Sequence, residues 1–103
     1  MGKLIYGSPG QEIEFDDRLL AHLKIAITTK LRRDEKFLLS WPHGVEEGGG
    51  RSSLWIHPAI PLRFTFNGGK APKLNRAWVE ELLLSASTTG GMQIGPEPKA
   101  PAD

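Results

Sequence analysis

The chain has 103 residues, a formal charge of +1 and no cysteine. That length accommodates one domain with a conventional core, and the missing thiols exclude disulfides, thiolate metal sites and cysteine nucleophiles. So small a net charge gives little general attraction to nucleic acid or anionic lipid, so such binding needs a local patch.

No apolar run approaches membrane-spanning length, and Met1 to Tyr6 turns polar too soon for a secretory signal, which points to the cytoplasm and away from the membrane. Residues 3–6 and 11–15 are short β-prone runs separated by Gly7-Ser8-Pro9-Gly10, which has turn chemistry, so they read as a hairpin. Asp16-Asp17 then opens a helix, either carboxylate suiting its free N–H groups and positive end. Leu20, Leu23, Ile27 and Leu31 follow at helical spacing as a core-facing stripe, and Arg32 and Arg33 suit the negative end.

Lys36 to Trp41 reads as a third strand, ended by Pro42. The glycine-rich run Gly44 to Arg51 lacks the Gly-Lys-Ser/Thr of a phosphate loop and carries two glutamates, so it is a hairpin connection. Arg51 to His57 and Leu62 to Phe66 are two further strands, joined by Pro58-Ala59-Ile60-Pro61. A second helix starts at the N-cap Asn75, carries Trp78, Val79, Leu82, Leu83 and Ala86 on one face, and stops at Gly90-Gly91. Met92 to Ile94 forms an optional last strand.

The order ββαβββα predicts an α+β fold: an antiparallel sheet of five or six strands with two helices on one face. Residues 1–95 form the domain, and the Pro/Ala-rich segment 96–103 is expected to be disordered.

Alternation along the strand pair 51–66 sends Leu54, Ile56, Leu62, Phe64 and Phe66 to the core. Arg51, Ser53, Trp55, His57, Arg63 and Thr65 gather on the opposite face. A tryptophan among cations and hydroxyls on a sheet suits single-stranded nucleic acid, the ring stacking on a base while arginines meet phosphates. The same face suits a second copy of the chain or a protein partner. On the first helix Arg18, His22, Arg32 and Arg33 form a secondary basic stripe, to be weighed against a plain solvated face. His22, His43 and His57, with Glu46 and Glu47, lack ligand spacing, so no metal or other cofactor is expected. Ser40, Ser52 and Ser53 lack a nucleophile elbow, and no catalytic residues stand out.

Met1-Gly-Lys-Leu-Ile-Tyr-Gly, the run Glu14 to Leu23, the stretch Gly50 to Leu62 and Leu74-Asn-Arg-Ala-Trp-Val-Glu resemble a family of short actinobacterial proteins of unknown function. Many of its members bear the automatic label "ATP-dependent DNA ligase". Such ligases form a lysyl-adenylate at Lys-x-Asp/Asn-Gly, and no lysine here heads that motif: at Lys73, the nearest, Arg76 stands where the glycine should be. The resemblance therefore implies at most an accessory to DNA joining or repair. The residues themselves point to a small non-catalytic binding module, for nucleic acid first, then for a partner or a second copy.

Overall fold

The computed structural model describes residues 1–101. Its order is β1 (Gly2–Tyr6), β2 (Gln11–Phe15), α1 (Asp17–Arg32), β3 (Phe37–Pro42), β4 (Arg51–Ile56), β5 (Leu62–Thr65), α2 (Arg76–Ala86) and β6 (Met92–Gln93), with one 3-10 turn at Val45–Glu47. This is the expected α+β succession with the optional sixth strand present.

Local chemistry sets the helix ends. The Asp16 carboxylate accepts from the N–H groups of Arg18 and Leu19 at 3.1 and 3.4 Å, so the first of the two aspartates is the cap. Asp17 does something else: its carboxylate accepts from the Asn67 and Gly68 N–H groups at 3.1 and 3.0 Å, pinning the loop after β5 to the start of α1. These bonds, the one from Gly68 foremost, hold the Asp17 carboxyl below its ordinary pKa. The other end of α1 closes with a left-handed residue, Asp34 at φ 59°. The Asp34 N–H donates to the Leu31 carbonyl at 3.0 Å and the Glu35 N–H to the Lys30 carbonyl at 3.1 Å, the paired bonds of a Schellman motif.

The strands form two three-stranded sheets rather than one: β2-β1-β5, antiparallel throughout, and β4-β3-β6, in which β6 runs parallel to β3. The strands expected to pair, β4 and β5, thus lie in different sheets. The segment Pro58 to Pro61 supplies the reason. Prolines at both ends break a continuing ladder, and the Pro61 carbonyl accepts from the Gly7 N–H at 3.0 Å, which feeds β5 in beside β1. Tyr6 ties the sheets together, its phenol donating to the Trp55 carbonyl and accepting from the His57 N–H. Burial pushes the Tyr6 phenol pKa up, and the bond from His57 offsets part of this.

Leu4, Phe15, Leu20, Leu23, Ile27, Phe37, Leu39, Ile56, Trp78, Leu82 and Met92 make one continuous core. The helices pack on each other, α1 also against β1 and α2 against β3 and β6, so each sheet receives one helix. Gly91 allows this closure. Its φ is +80°, and an added Cβ would stand 2.5 Å from both the Cβ and the carbonyl oxygen of Leu38, so only glycine lets β6 enter beside β3.

Candidate functional site

The split between sheets divides the predicted binding face. Arg51, Ser53 and Trp55 stay together on the outer face of the β4-β3-β6 sheet, paired across the ladder with Pro42, Ser40 and Leu38. The hydroxyls of Ser40 and Ser53 meet at 2.8 Å, and Ser40 also donates to the Gly90 carbonyl at 3.2 Å. Arg63 and Thr65 belong to the outer face of the other sheet, opposite Ile5 and Lys3. That face is of mixed charge, because β2 adds Glu12 and Glu14, and Lys3 pairs with Glu12 at 3.1 Å. His57 lies just past β4, where its Nδ1 accepts from the Ala59 N–H at 3.0 Å and so shapes the turn.

The outer face of the β4-β3-β6 sheet therefore centres on Trp55, which is 50% exposed, with Leu38 across the ladder. Its three strands carry no aspartate or glutamate. Lys36 precedes β3 by one residue on the same alternation, and Arg51 opens β4; both are exposed. Lys36 is the residue that sequence reasoning missed. The β3–β4 hairpin was expected from the Gly44 to Arg51 connection, but only the register, with Leu38 opposite Trp55, shows that Lys36 lies toward this face.

The secondary basic stripe is not assembled. His22 is fully buried, because α2 covers that flank of α1. Its Nε2 accepts from the Asn75 N–H at 2.8 Å, which leaves Nδ1 to carry the proton and donate to the Arg18 carbonyl at 2.7 Å. The Trp78 ring stands 4.7 Å from the imidazole. Arg18 makes a forked ion pair with Glu97, at 2.7 and 2.8 Å, and also donates to the Lys73 carbonyl. Asn75 completes the circuit by donating through Nδ2 to Glu97 and to the Pro98 carbonyl, at 3.0 and 2.9 Å. Arg32 and Arg33 remain exposed at the far end of the helix. Within the segment expected to be disordered, Glu97 thus bonds to Arg18 of α1 and, with Pro98, to the α2 cap residue Asn75, while residues 102 and 103 lie outside the described residues.

The bonds from Arg18, and next those from Asn75, hold the Glu97 carboxyl down at about 2, against an ordinary 4.5. Because the folded carboxyl binds its proton less readily than the unfolded one, the contact contributes stability above pH 4.5 and is lost as the pH falls through about 2. An NMR titration of the Glu97 carboxyl carbon should show a midpoint near 2, moving back up toward 4.5 in Arg18→Ala.

Among the described residues no group of three or more His, Asp or Glu side chains is placed to hold a metal, and no helix is long and apolar enough to cross a membrane. A pocket of about 310 Å³ lies between α1 and the loop after β5, where the Lys24 ammonium stands 5.8 Å from the Phe66 ring.

The sequence model of a family described as Domain of unknown function (DUF7882) matches residues 1–97. The chain belongs to this family. Its domain takes in both sheets, both helices and the ion pair of Glu97 with Arg18. No curated protein and no solved structure matches the chain.

Proposed function

We propose that this domain is a non-catalytic binding module that takes single-stranded nucleic acid on the outer face of the β4-β3-β6 sheet. The observation that carries this reading is the half-exposed Trp55 on a carboxylate-free face flanked by Lys36 and Arg51. An indole offers a stacking surface to any base, and the two cations flank it to meet phosphates. The hydroxyls of Ser40 and Ser53 add hydrogen-bonding groups beside it. Arg63, Thr65 and the α1 cations take no part, since they lie elsewhere. An accessory role beside DNA-joining enzymes would draw on the same face.

The test is titration of labelled single- and double-stranded oligonucleotides at low and moderate salt. Base–aromatic stacking contributes on the order of 1–3 kcal/mol, so Trp55→Ala should weaken binding roughly 5- to 150-fold. Two phosphate contacts on a single strand predict a slope of roughly −1.4 in log affinity against log salt, falling to about half that in Arg51→Ala. Arg63→Ala, on the other sheet, should leave the slope unchanged. Absence of binding at low salt, or binding indifferent to Trp55, overturns the reading. A dimer that Trp55→Ala dissociates would assign the face to self-association through Leu38 and Trp55.

A further inference from the structure

A second surface has the opposite electrostatics. β2 lies at the end of the order β2-β1-β5 and pairs with β1 alone. The backbone N–H and C=O groups on the far side of such a strand are a template for another strand. Among the described residues no backbone bond outside the hairpin ladder engages Gln11–Phe15.

This open edge faces a groove of about 850 Å³ whose other wall includes Trp41, Pro42, His43 and Ser52. His43 Nε2 and the Ser52 hydroxyl are fixed to each other at 2.7 Å. Phe15 and Trp41 meet edge to face across the groove, ring centres 5.4 Å apart. Four acidic residues, Glu12, Glu14, Asp16 and Glu47, line it, and no Lys or Arg side chain does. Asp16 is occupied as the α1 cap and Glu12 pairs with Lys3, while Glu14 and Glu47 form no ion pair among the described residues.

We propose that β2 accepts an added strand from a partner polypeptide, an extended segment in which Lys or Arg alternates with apolar residues. The pattern follows from the pleat. Successive side chains of an added strand point to opposite faces and meet those of β2 on the same face. On one face they meet Glu12 and Glu14; on the other they meet the half-buried Ile13, with Trp41 beyond. Main-chain bonds along β2 supply affinity, and the alternating faces supply selectivity. The carboxylates repel nucleic acid and acidic peptides, so this surface is independent of the Trp55 face.

The probe is a short labelled peptide alternating lysine and valine, compared with a glutamate–valine counterpart and with the lysine peptide N-methylated along one backbone edge. Only the first should bind, and its binding should slow amide hydrogen exchange in Gln11–Phe15. Glu12→Lys together with Glu14→Lys should weaken it roughly tenfold or more, since two attractive cross-strand pairs become repulsive. Equal binding of the glutamate peptide or the N-methylated one overturns the proposal, as does protection that falls on β4 instead of β2. The peptide comparisons decide the matter even if the double variant fails to fold. Self-association that already protects β2 without peptide would assign the edge to a second copy, and also overturns it.

Discussion

Ile27→Ala and Leu82→Ala should each lower the stability of the domain by about 2–5 kcal/mol, the usual loss for a large-to-small change at a sealed core position. Ile27 is 0% exposed and Leu82 1% exposed. Both belong to the one core that joins α1, α2 and the two sheets. Truncation therefore removes apolar burial from the helix layer on which each sheet depends, and neighbours held from several directions cannot collapse into the space. Urea denaturation measures the loss as a fall in midpoint with an unchanged slope. Unchanged midpoints in both variants would show that these side chains do not face the core.

His22→Leu should cost about 1–3 kcal/mol although it replaces a polar side chain with an apolar one in a buried site. The α2 N-cap residue, Asn75, uses its side-chain oxygen to accept from the Ala77 N–H at 3.0 Å. Its own backbone N–H would be met in a capping box by a Glu or Gln three residues on. Here that position is Trp78, and His22 of α1 supplies the acceptor instead. Leucine fills the space and strands a buried N–H. His22→Gln retains an acceptor, so it should recover part of the loss. Amide exchange at Asn75 reports the effect directly: protection should fall in the leucine variant and partly return with glutamine. A leucine variant as stable as the parent would mean that the imidazole contributes packing alone.

The two helices were legible because each carries its own signals. Of the stripe Leu20, Leu23, Ile27 and Leu31, the first three are buried and Leu31 is half-buried at the helix end, and Asp16 and Asn75 cap the helices that follow them. The hairpin of β1 and β2 was legible for the same reason, since a short turn closes it locally. The end of α2 was not: the helix closes at Ala86 with Ser87 as its C-cap, ahead of Gly90-Gly91, and Gly91 serves instead the close approach to Leu38.

What the sequence could not reveal was set by partners distant along the chain. β4 and β5 alternate like neighbours, but alternation records that a strand has two faces and not which strand lies beside it. Two prolines and the bond from Gly7 to the Pro61 carbonyl sent β5 to β1 and left β4 with β3. That choice separated Arg63 and Thr65 from Trp55. The α1 cations show the same limit: periodicity placed Arg18 and His22 opposite the apolar stripe, and α2 then covered that flank. One became a neutral acceptor for a helix cap and the other the partner of Glu97. The sequence by itself determined which segments are helix or strand and which apolar faces turn inward, because capping, turn chemistry and periodicity act over a few residues. Only the tertiary structure decided which edges stay open and which charges share a face, because those depend on contacts between segments that nothing local links.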